Sequence, residues 1–270
     1  MSLEKPLIYV ILGAAGSGRR EVMADLIEGG LAEGSRAAVL LSTGEAPAES
    51  DARLGDTVRW TWRDGLIDAQ LPEGATHVFF VTDGRINPVD QLEQLHTWIA
   101  AAGGEIGRVL TIVSCRLAER HAALLPWYEA CIHFSDIVLL HQREGVANKW
   151  LSDFQSHFKD QFYPCLFEMV KAGRVKNPLV VLEPQARRMS HLFDIDEWTG
   201  LDLEGVEFGT EDEDDDGGKA KPTKAKGKNK PADDEEDEDD WKPEVDPYLQ
   251  RRTGGRREKE IPDIAKYLAS

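Results

Sequence analysis

Short apolar runs recur along the first 205 residues and predict the strands of a sheet. We expect seven strands, over 7–12, 37–41, 58–62, 77–81, 109–113, 137–140 and 179–182. Several of these runs are continuously apolar, which is typical of parallel strands that are buried on both faces. Amphipathic stretches between them predict helices over 20–28, 89–102, 117–125 and 148–162. This alternation indicates an α/β domain with a mostly parallel sheet.

A glycine-rich loop stands between the first strand and the first helix. It reads Gly13-Ala-Ala-Gly16-Ser17-Gly18-Arg19-Arg20, and Gly13 and Gly18 have the G-x-x-x-x-G spacing of phosphate-binding loops. Such a loop aims backbone N–H groups at an anion at the N-terminus of a helix. Arg19 replaces the usual lysine, and Arg20 replaces the Ser or Thr whose hydroxyl binds Mg²⁺. The alternative is a glycine turn that serves only close packing.

Several segments in order resemble the CobW/HypB/UreG family of P-loop GTPases, many of whose members deliver metal ions. The resemblance covers residues 5–175. The loop 13–20 stands where the family has G-x-x-G-x-G-K-T, and Leu41-Ser-Thr-Gly44-Glu45 resembles its N-E-x-G-E segment. The segment 80–88 is similar to I-E-x-x-G-L-x-x-P, and 134–140 is similar to the strand that leads into the guanine-reading N-K-x-D.

The resemblance implies a P-loop NTPase-like three-layer sandwich that binds GTP or GDP with Mg²⁺. It places the nucleotide on Gly13, Gly16, Ser17, Gly18, Arg19 and Arg20, with Asp83 and Glu144 as further contacts. Val81 stands where the family has an acidic residue, so Asp83 is the nearby substitute. His141-Gln142-Arg143-Glu144 replaces N-K-x-D, and Glu144 retains a carboxylate for the guanine N1 and N2 groups. No C-x-C-C motif is present.

The composition changes sharply after the predicted domain of residues 1–205. Residues 211–240 contain 14 acidic residues and six lysines, and so contribute -8 to the net charge of -17. The block has no aromatic or branched aliphatic residue to bury, so we expect a disordered charged linker over 206–240, an acidic tail on the domain. Residues 241–270 regain aromatic and apolar residues and predict a short peptide that docks on this protein or on a partner.

Charge and cysteine content narrow the functional classes. The acidic balance argues against nucleic acid or an anionic membrane as the partner, since both attract Lys and Arg. Three widely spaced cysteines and the lack of an N-terminal signal-peptide pattern indicate a cytoplasmic protein. Cys115, Cys131 and His133 lack the paired spacing of a zinc site, so we expect no structural metal. Trp60 and Trp62 share a strand face, which predicts core packing or a homodimer interface.

Three functions therefore stay open. The first is a degenerate CobW-like GTP-binding domain with weak or no hydrolysis, for which we expect no catalytic residue. The second is a pseudo-GTPase scaffold that binds a protein partner through residues 241–270. The third, an active metallochaperone, fits the residues least because the cysteine motif is missing.

Overall fold

Eight strands form one sheet in the computed structural model, which describes residues 5–194 and 245–268. The predicted linker, 206–240, lies outside these residues. The strands are β1 Leu7–Leu12, β2 Ala37–Ser42, β3 Asp56–Arg63, β4 Leu66–Asp68, β5 His77–Val81, β6 Glu105–Ser114, β7 Ile137–His141 and β8 Leu166–Met169. Their order across the sheet is β4-β3-β2-β5-β1-β6-β7-β8, and only β4 runs antiparallel to its neighbour.

Six α-helices connect or cover the strands of the described part. They are α1 Arg19–Gly30, α2 Pro88–Ala102, α3 Cys115–Arg120, α4 Leu125–His133, α5 Asn148–Lys159 and α6 Pro178–Leu182. Helix α2 shows how the sequence sets its bounds. The Asn87 side chain accepts a hydrogen bond from the N–H of Val89, Pro88 opens the first turn, and Gly103 closes the helix in the left-handed region.

The sheet is covered on both faces, as expected for buried parallel strands. Along β1, Ile8, Val10 and Leu12 join one hydrophobic cluster, whereas Tyr9 and Ile11 join the other. Because successive strand side chains point to opposite faces, one apolar strand serves both layers. The prediction of a three-layer α/β sandwich with a mostly parallel sheet is confirmed.

The strand predicted over 179–182 is wrong. Pro178–Leu182 is helix α6, and it packs against α1 with Leu182 beside Gly30. Pro178 favours a helix start, because its fixed φ suits the first turn and its missing N–H is not needed there. Leu179 is 67% exposed, which a strand buried on both faces would not allow.

Two further sequence predictions are corrected in detail. The helix expected over 117–125 is interrupted at His121, and α3 and α4 are separate helices joined by a 3-10 turn over Ala122–Leu124. The helix expected over 148–162 ends at Lys159, and Phe162 has a φ of 59°. Strands β4 and β8 were not predicted, because LID and LFEM are short and each includes an acidic residue.

Residues 245–268 pack on the same compact unit as residues 5–194. Tyr248 is 3% exposed and Ile264 is 1% exposed, and both belong to the hydrophobic cluster that also contains α4. The ring centroids of Tyr248 and His133 are 4.7 Å apart. The C-terminal segment therefore completes the core of the domain itself.

Charged side chains of the C-terminal segment also pair with residues of the rest of the domain. The carboxylate of Asp246 lies 2.9 Å from Nε2 of His133. Arg257 donates from Nε to Oδ1 of Asp90 at 3.0 Å and also pairs with Glu93 on α2. No helix within the described residues has the length and apolar character needed to cross a membrane.

Candidate functional site

The glycine loop lies at the carboxyl edge of the sheet, between the central strand β1 and helix α1. Gly13, Gly16 and Gly18 have φ values of 138°, 77° and 82°, a conformation that other residues rarely adopt. A Cβ at Gly18 would lie 2.3 Å from the ring of His141. The glycines therefore allow a tight turn against the end of β7.

The turn after β5 presses against the loop. The N–H of Ala15 donates to the carbonyl oxygen of Gly84 at 3.1 Å, and the N–H of Ser17 donates to that of Ala14, also at 3.1 Å. A Cβ at Gly84 would lie 2.2 Å from the Ala15 nitrogen, so no side chain fits there. The backbone N–H groups of Ala15 and Ser17 therefore already have hydrogen-bond acceptors within the protein. Helix α1 has no side-chain cap at its N-terminus.

Arg19 and Arg20 turn toward Glu45 rather than toward solvent. Arg19 forms an ion pair with Glu45 through Nη2 and donates from Nη1 to the carbonyl oxygen of Thr82 at 2.6 Å. Arg20 approaches the second oxygen of Glu45 at 3.3 Å and lies 2.9 Å from the carboxylate of Asp51. The side chains of Arg19 and Glu45 are 3% and 10% exposed, so this pair is largely removed from water.

Glu45 also accepts a backbone hydrogen bond at the same place. The N–H of Gly84 donates to Oε1 of Glu45 at 3.1 Å. Burial opposes ionisation of this carboxyl, but Arg19, the Gly84 N–H and Arg20 outweigh it and hold the pKa of Glu45 below its ordinary value. Glu45 is therefore a buried anion, held by two guanidinium groups and a glycine N–H.

Arg59 fixes the segment that carries Glu45. It donates from Nη1 to the carbonyl oxygens of Ser42 and Glu45 at 3.1 and 2.9 Å, and from Nη2 to Asp51 at 3.1 Å. A cleft of about 260 Å³ opens beside this network. Its lining includes Gly16, Gly18, Arg20 and Arg85.

The residues present do not fit a magnesium ion at this place. Arg20 offers no oxygen, and the hydroxyl of Ser17 is buried below the loop, where it has no hydrogen-bond partner among the described residues. Asp83 is 5% exposed and already accepts from the Ser42 hydroxyl at 2.9 Å and from the Arg85 N–H at 2.9 Å. Mg²⁺ needs several free oxygen ligands, so we derive no step that uses it.

The structure does not bring all of the predicted site residues together in one cleft. The loop residues Gly13 to Arg20 lie together, and Asp83 joins them through its neighbour Gly84. Glu144 instead lines a separate cleft of about 530 Å³ beyond His141, with Glu21, Asp25 and Arg174. Nδ1 of His141 lies 2.9 Å from the carbonyl oxygen of Ser17, so His141 stands between the two clefts.

The sequence predicted Glu45 as part of the segment that resembles N-E-x-G-E, but not as a residue of the site. The available signal was a single carboxylate just past a buried strand, at the edge where open α/β sheets bind ligands. Gln142 was missed too. Its amide donates to the carbonyl oxygen of Gly16 at 2.9 Å and accepts from the hydroxyl of Ser114 at 2.6 Å.

The cysteines lie in the core rather than at this site. Cys115 and Cys131 are 0% exposed and Cys165 is 7% exposed. Within the described ranges, no group of three or more His, Cys, Asp or Glu side chains could hold a metal ion.

The fold and the loop together define an α/β domain with a glycine-rich loop between its central strand and its first helix. No protein-family model matches the chain. No curated protein sequence matches it either.

Among solved structures, the chain is similar to the Zn(II)-bound YjiA GTPase from E. coli, with 11% identity, 68% of this chain and 67% of that chain covered, and a TM-score of 0.38. It is similar to the cell division protein FtsY from Thermotoga maritima, with 14% identity, coverage of 66% and 68%, and a TM-score of 0.38. A LAO/AO transport system kinase is 11% identical, with coverage of 61% and 53% and a TM-score of 0.37. Likeness at this level says nothing about the ligand of this chain.

Proposed function

We propose that this chain is a degenerate P-loop domain that binds a nucleoside phosphate weakly and hydrolyses it little or not at all. A guanine nucleotide is the first candidate, on the resemblance of residues 5–175 to the CobW-like GTPases. The observation that carries the proposal is the position of Glu45. Its carboxylate takes up Arg19, Arg20 and the Gly84 N–H, which are the groups that a phosphate at this loop would need.

Weak binding follows from competition between the carboxylate and the phosphate. A phosphate that enters the cleft must displace the Glu45 carboxylate or share its partners. Arg19 and Arg20 would otherwise attract the phosphate, but Glu45 already neutralises them. A terminal phosphate carries more charge and more acceptor oxygens than a carboxylate. Displacement therefore remains possible at high ligand concentration.

Little or no hydrolysis follows from the missing groups. Phosphoryl transfer in P-loop enzymes depends on positioning and on cations at the transferred phosphate. Here the Arg19 guanidinium is bound to Glu45 and to the Thr82 carbonyl oxygen, and Asp83 is bound to Ser42 and Arg85. No described residue at the loop is left free to activate water.

The test is titration calorimetry of the full chain with GTP, GDP and ATP, in buffer with and without Mg²⁺. The full chain is needed because residues 245–268 complete the hydrophobic core. Glu45→Gln removes the competing charge and keeps the shape of the side chain. We expect the variant to bind the preferred nucleotide about tenfold or more tightly than the wild type, which is about 1.4 kcal/mol.

Glu49→Gln is the matched control, because Glu49 is an exposed carboxylate in the same connection. It should leave the affinity unchanged. Heat indistinguishable from dilution for both the wild type and Glu45→Gln, on samples shown to be folded, would reject nucleotide binding. Equal gains in Glu45→Gln and Glu49→Gln would reject the competition that we propose.

The second candidate function is a pseudo-GTPase scaffold. The packing of Tyr248 and Ile264 into the domain favours a structural role for residues 245–268 and leaves only their exposed side chains for a protein partner. Arg256 is one such residue, with its side chain 85% exposed. Charge reversal by Arg256→Glu that removes a purified partner from the complex, with an unchanged melting temperature, would support this function.

A further inference from the structure

A third cleft, of about 580 Å³, opens beside the glycine loop. It is lined by residues from five parts of the described chain: the loop, the turn after β5, the end of β6 with α3 and the turn that follows, Gln142 after β7, and the C-terminal segment. The C-terminal segment contributes Lys266, Tyr267 and Leu268. A cleft of this size suits a small molecule, since ligand sites commonly measure about 300–1,000 Å³.

Positive side chains dominate this cleft. Arg85, Arg116, Arg120 and Lys266 line it, and each is exposed to solvent. None of them forms an ion pair within the described residues, whereas Arg251 and Arg257 on the same C-terminal segment pair with Glu93 and Asp90. Four unpaired cations around one cleft are unexpected in a chain of net charge -17. The arrangement favours an anionic ligand.

One wall of the cleft is apolar and aromatic. The rings of His121 and Tyr267 meet edge to face, with their centroids 5.3 Å apart. Leu117 and Leu268 lie on the same lining. A ligand made only of phosphate would not use this wall, whereas a planar ring would pack on it.

The polar floor of the cleft is already ordered. Gln142 bridges the Ser114 hydroxyl and the Gly16 carbonyl oxygen at 2.6 and 2.9 Å. This bridge holds the carboxyl ends of β6 and β7 against the loop. The cleft shares Ala15, Gly16, Arg85 and Gln142 with the cleft beside Glu45. Arg19, Arg20 and Glu45 do not line it.

We propose that this third cleft binds a phosphate ester that carries a planar ring, of the size of a nucleoside monophosphate. Arg85, Arg116, Arg120 and Lys266 hold the phosphate, and the wall of His121 and Tyr267 receives the ring. The C-terminal segment therefore supplies part of a binding site as well as part of the core. This proposal does not depend on nucleotide binding at the loop beside Glu45.

The test measures binding of GMP, AMP and inorganic pyrophosphate to the full chain by titration calorimetry. The double variant Arg116→Ala/Arg120→Ala should weaken all three probes by about tenfold or more, which is about 1.4 kcal/mol. Tyr267→Ala should weaken the two nucleotides and leave pyrophosphate unchanged, because pyrophosphate has no ring. The control Arg252→Ala/Arg256→Ala removes two exposed arginines of the same segment and should change nothing.

This experiment distinguishes binding at the two proposed sites. Glu45→Gln should leave the Arg116- and Arg120-dependent binding unchanged, so either site can fail without the other. Absence of saturable binding for all three probes would overturn the second site, as would binding that the double variant leaves intact.

The test must also distinguish a small-molecule ligand from the acidic residues of 233–240. A full-length variant with the acidic residues of 233–240 replaced by Asn and Gln separates the two cases. Binding that appears only in this variant would assign the cleft to the acidic segment and would overturn the proposal. Equal binding in the wild type and this variant supports it.

Discussion

The backbone N–H of Gly84 donates a hydrogen bond of 3.1 Å to the carboxylate of Glu45, which lies 39 residues earlier in the chain. The same carboxylate pairs with Arg19 and Arg20 in the first turn of α1. One side chain thus joins the segment after β2, the turn after β5 and the glycine loop. The Glu45 carboxylate therefore already neutralises the two guanidinium groups and accepts the Gly84 N–H beside the loop.

Removal of the Glu45 carboxylate should destabilise the fold, because it leaves the 3% exposed Arg19 without its ion-pair partner. We expect Glu45→Ala to lower the free energy of unfolding by about 3 kcal/mol, as for other broken buried pairs. Urea denaturation followed by circular dichroism measures this. Added pyrophosphate should restore more stability to Glu45→Ala than to the wild type, because it can replace the lost anion.

The exposed Glu49 again provides the comparison. Glu49→Ala should change the free energy of unfolding by no more than about 0.5 kcal/mol. Equal restoration of the wild type and Glu45→Ala by pyrophosphate would show that the anion does not act at this position.

The C-terminal segment should unfold together with the domain. Ile264 is 1% exposed in the hydrophobic core, so Ile264→Ala should cost about 3 kcal/mol from lost burial and the cavity left behind. Val245→Ala, at a side chain that is 58% exposed, should cost less than about 0.5 kcal/mol. Thermal unfolding that shows two separate transitions, with only the first shifted by Ile264→Ala, would contradict this prediction.

Acid should loosen the contact between Asp246 and His133. Burial opposes ionisation of Asp246, but hydrogen bonds from His133 and Ser190 outweigh it, so its folded pKa lies below the ordinary 3.8. A lowered carboxyl pKa contributes stability that is present above the ordinary value and is lost as the pH falls through the folded value.

Urea midpoints measured between about pH 6 and about pH 2 test this sign, since the linkage operates below the ordinary pKa. Asp246→Asn should be less stable than the wild type at the upper end and should lose less stability across the range. A parallel acid dependence of the two proteins would mean that Asp246 does not contribute.

The three cysteines should be inert in the folded protein. Burial raises the pKa of Cys115 and of Cys165 to about 12 and raises the pKa of Cys131 as well. Since the thiolate is the reactive form, a thiol reagent should label none of them in native buffer and all three in denaturant. Rapid labelling of one thiol in native buffer would show that its part of the core opens.

Much of the sheet could be predicted from local sequence, because a strand buried on both faces must be continuously apolar. The runs that became β1, β5 and β7 carry this signal with little ambiguity. The run 179–182 carries the same signal and is a helix, since an apolar stretch of four residues fits either element. Its state was decided by Pro178 and by packing on α1.

The position of the glycine loop was also predictable, but its chemical state was not. Spacing identified Gly13, Gly16 and Gly18, whose left-handed φ values need glycine. Nothing in the local sequence indicated that Arg19 would turn inward, because its partners Glu45 and Thr82 are 26 and 63 residues away.

By itself, the sequence determined the periodic apolar pattern, the glycine turn and the replacement of the lysine and hydroxyl that P-loop enzymes use. These are properties of single residues and their near neighbours. Only the tertiary structure decided that Glu45 neutralises the loop, that Tyr248 and Ile264 enter the core, and that five separate segments form a positive cleft. The physical reason is that charge pairing and burial depend on distance in space, and residues far apart in the chain become neighbours only when the sheet is assembled.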